Sequence, residues 1–526
     1  MRRFSKYFFT LIFSLVLTTA FSQKKHSHKF KATFALAEKN FEYGYYQEAL
    51  NNYMKIYQED TMDIELNYKI SMCHFREGHH PDSSMKFLLH DDASNIPDVQ
   101  YLLGKLFHAK RDFNEARAHY EKLRLFPLKK RKIDDNEIDR LISITNRAEK
   151  ELKTPHIALI KNLGPEINSK YHEYVPLITA DGGTLFFTSK RPGGTGNLKD
   201  VAGNYFEDIY ISHKTGLNWS LPVNFGKPIN TKDHDACVSI SNDGKHMLLY
   251  RPAKNNIGGD IYESKFSGEK WSEPKVLNSN VNTSEGNESS ANISSDGNFL
   301  IFSSNKAGGF GGKDLYICRK LPNGSWSKSV NMGSVINTPY DEDAPFLTSD
   351  DKWLYFSSRG HTTLGGYDVF KSKMDFEKNS WSVPENLGYP INDVSDDIFF
   401  VLSRDEKKGF YSSEKDDGFG GEDLYQLDLL YGENEIHCRH ICVFELGSEK
   451  TKQLDTKVTV KSSKSKDIKG IYRPNKSNGK VTIDVLPYEE YQVIVQSDGY
   501  EDFSFYMDKI SPENENREIS IELKKK

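Results

Sequence analysis

Between Glu173 and Leu427, short runs of alternating apolar and polar residues recur in five units of about 54 residues. In the third unit the runs cover 289–294, 299–304 and 314–319, parted by Ser-Asp-Gly and Gly-Gly clusters that read as turns. A fourth run follows a Trp-Ser pair and ends in an Asn-Met-Gly…Ile-Asn phrase. Four strands per unit predict a propeller blade. The markers keep step. An acid opens each unit (Glu173, Asp235, Glu288, Asp343, Asp397), and a turn aspartate follows (Asp181, Asp243, Asp296, Asp350, Asp405). A further aspartate precedes an apolar-aromatic pair (Asp208, Asp260, Asp314, Asp368, Asp423), and the tryptophans are Trp219, Trp271, Trp326 and Trp381. The fifth unit lacks the closing phrase, which occurs once before the first as Asn162-Leu163-Gly164…Ile167-Asn168. The strand near 157–161 is therefore expected to supply the last blade's outer strand and close a five-bladed ring, protecting both edges.

Upstream the apolar period changes to that of helices, in a repeat of 33 to 34 residues. Ala49, Ser83 and Ala116 are in register, as are Tyr46, His80 and Phe113, and Tyr53, Phe87 and Tyr120. These positions resemble tetratricopeptide repeats, which imply paired antiparallel helices, with an amphipathic helix at 134–152 as the cap. On that register Phe34, Glu38, Phe41, Tyr68, Met72, Phe75, Tyr101, Lys105 and His108 line a concave surface. Phe34, Glu38, Tyr68, Met72, Tyr101, Lys105 and His108 are the candidate partner-binding residues; packing between helices is the plainer reading for any one aromatic. After about 432 the alternation turns to strands without a repeat. Tyr491-Gln-Val-Ile-Val-Gln-Ser-Asp-Gly-Tyr500 resembles carboxypeptidase regulatory-like domains, small β-sandwiches without catalytic residues of their own. The expected fold is thus multidomain: an all-α tetratricopeptide solenoid (23–155), a five-bladed β-propeller (156–431) and a small β-sandwich (432–526), after a signal peptide (1–22).

Composition narrows the function. Formal net charge is -5 with both signs mixed, which argues against nucleic-acid binding. The basic stretch 129–132 reads first as a solvated helix end. Arg2, Arg3 and Lys6 precede an apolar run over 7–17 and a small-x-small site at 20–22, the signature of a secretory signal peptide. No later run is long enough to span a membrane. Five scattered cysteines are no disulfide framework; Cys438, His440 and Cys442 would share a strand face, read as packing before a zinc site.

The Gly-Gly-x-Asp repeats could hold calcium, but the same motif at the same place in nearly every blade reads first as an architectural turn. The Ser-Ser pairs (Ser303 and Ser304, Ser357 and Ser358, Ser412 and Ser413) lie in no Gly-x-Ser-x-Gly elbow. No catalytic residue, cofactor or metal is expected. The loop 192–206, about nine residues longer than its counterparts, reads as surface slack or as a binding rim.

The order of domains, with Phe302-Ser-Ser-Asn-Lys…Gly311-Gly312-Lys-Asp314-Leu-Tyr316 and Tyr355-Phe-Ser-Ser-Arg359…Gly365-Gly366-Tyr-Asp368, resembles exported Bacteroidota proteins that join such helices to a TolB-type (WD-like) propeller and a regulatory-like sandwich. Many relatives add an OmpA-like domain, and one serves type IX secretion. The chain departs from them after the sandwich, which puts peptidoglycan contact in doubt. The resemblance implies a non-enzymatic periplasmic scaffold that holds envelope proteins through its helices and a propeller rim, in a secretion or surface-assembly complex at the outer membrane. The alternative is a binding module whose propeller funnel takes a glycan or peptide.

Overall fold

The computed structural model describes residues 26–526 apart from 77–80, 89–95, 154–157, 201–202, 217, 242, 254–257, 285, 379, 416, 430–436, 446–453, 455, 465, 467, 475–478, 486–489 and 508–518. The signal-peptide segment therefore lies outside the described residues. So do the side chains of Cys438, His440 and Cys442, although their strand, His437–Glu445, is described. No helix among the described residues is long and apolar enough to cross a membrane.

Among the described residues seven α-helices come first: α1 (His28–Glu42), α2 (Tyr46–Tyr57), α3 (Ile64–Arg76), α4 (Pro81–Met85), α5 (Pro97–Ala109), α6 (Phe113–Arg124) and α7 (Asp135–Glu151). Their starts follow capping chemistry. Ser27, Asp112 and Asp134 accept the first free amides of α1, α6 and α7, and Pro97 opens α5. Gly104 lets α5 approach α6 closely, because a Cβ there would strike the Tyr120 ring.

The expected fold class needs correction. The chain is not led by an all-α tetratricopeptide solenoid. Its described residues are mostly β, with 29 strands against those seven helices. The middle helical repeat is the weak link, since α4 keeps only five residues where a full helix was expected. The helices also fail to stand apart as a stack, because α5 and α7 spend side chains on the propeller. Helical periodicity reports which face of each helix is apolar; it does not report what covers that face.

Five sheets make the propeller. Their innermost strands are Glu173–Ile178, Ala236–Ile240, Glu288–Ile293, Glu342–Leu347 and Asp397–Leu402, each pairing outward in sequence order. The fifth sheet takes its outer strand from the start of the domain. Leu159–Asn162 pairs antiparallel with Asp423–Asp428, from Leu159 opposite Asp428 to Asn162 opposite Tyr425. Blade faces pack through aromatic and aliphatic side chains such as Phe187, Phe302, Phe356, Phe400 and Tyr411, all essentially inaccessible.

Behind the ring, a three-stranded and a four-stranded sheet face each other over Val458, Val460, Ile483, Val493 and Ile521. This β-sandwich rests on the closing strand. Arg473 pairs with Glu166 at 2.9 Å, and the Lys161 ammonium lies 5.4 Å from the Tyr472 ring centroid.

Candidate functional site

The repeated motifs resolve into a joinery that accounts for most of their polar atoms. The aspartate of each Gly-Gly-x-Asp turn points back into its own loop. Asp314 accepts from the Phe310 and Gly311 amides and from Asn331 Nδ2; Asp368 does so from Leu364, Gly365 and Asn386. Asp208 bonds Asn224, and Asp423 bonds Asn162 of the closing strand at 2.8 Å. Burial pushes Asp368 and Asp423 up to about 8, against the bonds donated by Asn386 and Asn162. The first glycine of the motif serves the seam between blades: a Cβ at Gly311, Gly365 or Gly420, or at Gly196 in the first blade's loop, would strike the backbone of the following blade's entry loop. The asparagine that ends each closing phrase clamps a third strand. Asn230 bonds both backbone groups of Ile209, Asn337 those of Leu315, and Asn168 reaches across the ring closure to Leu424.

The opening acids are buried and hydrogen-bonded by hydroxyls. Glu288 and Glu342 each accept from a threonine and from the second serine of a Ser-Ser pair, Ser304 or Ser358. In the fourth blade this role belongs to Glu342, one residue before the expected Asp343. Asp343 turns instead to Ser289, Ser290 and Lys313 Nζ at 2.6 Å. A cation joins the acid in three blades: Arg191 with Glu173, Arg251 with Asp235, and Lys415 with Asp397. The fifth blade carries a second acid, Asp393, where the others have Ser169, Thr231, Thr283 or Thr338. Lys415 lies 3.2 Å from Asp393 and 3.3 Å from Asp397, and Arg111 from the helices reaches Asp393 at 3.7 Å. Periodicity did not single out this network. Its signal was the lone Asp at a Ser/Thr position.

Each innermost strand breaks register near its start, and three of these bulges hold non-glycine residues at positive φ: Val175 (51°), Ala344 (53°) and Phe399 (60°). They crowd the central channel, where Phe346, Phe399 and Phe400 face Leu177, Ile240, Ser239 and Asn292 around a cavity of about 50 Å³. That volume suits one or two waters.

The helices dock on the loops of the fourth blade. His108 Nε2 lies 2.8 Å from the Leu364 carbonyl and Nδ1 lies 3.2 Å from Thr145 Oγ1, so the ring is buried between α5, α7 and the blade. Arg147 donates to the Thr363 carbonyl, and Arg140 to the Arg359 carbonyl while stacking 4.0 Å over Tyr340. Phe113 and Ala148 pack with Leu364 and Val394. In the long 192–206 loop, Lys199 bridges to Tyr205. A side chain at Gly203 would lie 3.8 Å from the Glu48 carboxylate of α2. The insertion thus faces the helices.

Among the sequence-derived candidates, His108 sits inside this contact rather than on an open groove. Phe34, Glu38, Tyr68, Met72, Tyr101 and Lys105 are half-buried. Phe34 packs on Tyr53, and Glu38 accepts from Tyr53 and from Lys69 at 2.6 Å. Tyr68 and Met72 pack against Leu102 and its neighbours, and Tyr101 lies under the Lys105 ammonium. Another trio, His26, Asp60 and Asp63, gathers beside α1; Asp63 holds His26 at 3.0 Å and caps α3.

Burial with a neighbouring Lys105 pushes His108 down to about 4, against only the Leu364 carbonyl and Asp393 in the other direction. An imidazole whose pKa is depressed in the docked state costs docking stability as pH falls from about 6.5 towards 4, because the undocked chain binds the extra proton. The midpoint of thermal unfolding should therefore fall over that window and fall less in His108→Leu. Parallel profiles for both proteins would contradict this assignment.

No protein-family model matches the chain, and no curated protein matches it. Solved structures do. An α-L-arabinofuranosidase from Lactobacillus brevis is 13% identical with a TM-score of 0.33, covering 51% of this chain and 93% of that one. The β-propeller domain of the Trilobed protease from Pyrococcus furiosus is 9% identical with a TM-score of 0.28, covering 66% and 98%. A xylan β-1,4-xylosidase from Bacillus halodurans C-125 is 10% identical with a TM-score of 0.32, covering 65% and 91%. At such identities their chemistry is theirs alone. The propeller class rests on this chain's own strand order.

Proposed function

We propose that the protein is a non-enzymatic scaffold that works after export in the periplasm, holding proteins of an envelope complex. The observation that carries this reading is an anchored helical layer with apolar residues left outside. One end is fastened to the fourth blade through His108, Arg140 and Arg147, while Leu36, Tyr43, Met54 and Met62 remain exposed on the other. Leu36 and Tyr43, seven residues apart, share one side of α1 and its end. A layer that had only to cover the propeller would have no use for them. The motif hydroxyls and carboxylates described above are spent on blade joinery, which favours binding over catalysis.

Exchanging Leu36, Tyr43 and Met54 together for aspartate should leave the fold intact, as exposed sites usually do. Affinity capture of the tagged protein from gently solubilised envelopes, read by mass spectrometry, should then lose specific partners that the unaltered chain retains. Capture of the same proteins in the same amounts by both would refute the reading.

A further inference from the structure

The connection between α6 and α7 carries a feature that neither the propeller nor the proposed scaffold role uses. Leu125 is 83% exposed, the highest value for a large apolar side chain among the described residues, and Leu128, three positions on, is 59% exposed. Lys129 and Lys130 follow directly, both exposed, and have no ion pair among the described residues.

The tip is held in shape from behind. Phe126 turns inward onto the core with Tyr120, Ile138 and Leu141. Arg131 donates to the Phe126 carbonyl at 3.0 Å and pairs with Asp135 at 2.9 Å, and Leu128–Lys130 forms a 3-10 turn after Pro127. The acids nearby already have partners: Arg124 holds Glu121 and Asp139, and Lys132 holds Asp98. What faces outward is a loop with two exposed aliphatic side chains and two unpaired ammonium groups.

We infer that this loop is a membrane-surface contact that inserts Leu125 and Leu128 at the boundary of an anionic lipid bilayer while Lys129 and Lys130 meet the lipid phosphates. Charge and exposure favour this occupant over a protein: two unpaired ammonium groups stand beside two exposed leucines. A bilayer offers acyl chains beneath anionic headgroups everywhere on its surface, so an exposed loop needs no matching groove. A protein partner would have to supply an apolar pocket ringed by acids. Two leucines and two lysines give reversible attachment, well short of permanent insertion. The inference is independent of the scaffold reading, since the contact would serve any protein working beside a membrane.

The test is flotation of the full mature chain with vesicles of phosphatidylglycerol and phosphatidylcholine in equal parts, beside vesicles of phosphatidylcholine alone. The chain should float with the anionic vesicles and lose that binding as salt is added. Leu125→Ser and Leu128→Ser should each weaken it about tenfold, and Lys129→Glu with Lys130→Glu should weaken it further than either. An unchanged thermal midpoint in each variant shows that the fold is intact. Absence of flotation, equal flotation with neutral vesicles, or flotation indifferent to both pairs of changes would overturn the inference.

Discussion

Lys415→Met should be the most damaging single exchange in the propeller, lowering unfolding stability by about 3–5 kcal/mol. Lys415 is the shared partner of Asp393 and Asp397, two acids that lie within the same hydrogen-bonded turn and are almost inaccessible. Removing the ammonium leaves them facing each other, with Arg111, 3.7 Å from Asp393, the only other cation paired with them among the described residues. The third and fourth blades show how the same place works without a salt bridge. There Thr283 or Thr338 bonds the buried glutamate, and burial pushes Glu342 up to about 7. Asp393→Thr added to Lys415→Met should therefore recover most of the loss, measured by urea unfolding. A double variant as unstable as the single one would show that the network is not what Lys415 serves.

Gly420→Ala is expected to cost about 1–3 kcal/mol. A Cβ at this position would strike the backbone of Ser169, Lys170 and Tyr171, the loop that brings the first blade to the fifth. The seam is bonded by the Glu173 amide to the Glu422 carbonyl at 2.8 Å and by Asn168 to Leu424. Backbone cannot retreat as a long side chain can, so the strain should open the ring at its closure. Hydrogen exchange should then rise in 159–162 and 423–428 more than in the third blade. Uniform exchange across blades would place the damage elsewhere.

The parts legible in the sequence were those that repeat. Asn162-Leu163-Gly164…Ile167-Asn168, found once before the first unit, marked the closing strand because the same residues perform the same bonds in four of the five blades. Asp314 and Asp368 read as turn aspartates for the same reason. The fourth opening acid was misplaced by one residue, since Glu342 and Asp343 are adjacent acids and only the pairing of Glu342 with Ser358 tells them apart. The helices were the greater misreading. Their apolar spacing is real, but spacing cannot report that α4 is short or that His108, assigned to an open groove, lies under Leu364. Contacts between residues 256 positions apart leave no local trace. Leu125 and Leu128 were passed over beside the basic stretch that follows them, because exposure in a loop has no period to betray it.

The central claim is that this chain works as part of a larger envelope assembly. The most direct measurement is the native mass of the tagged protein after gentle extraction, by size-exclusion chromatography with light scattering. The account predicts a particle well above the 60.2 kDa of the full-length chain, co-eluting with other envelope proteins and shrinking when Leu36, Tyr43 and Met54 carry aspartate. A particle of the chain's own mass, unchanged by those exchanges, would contradict it.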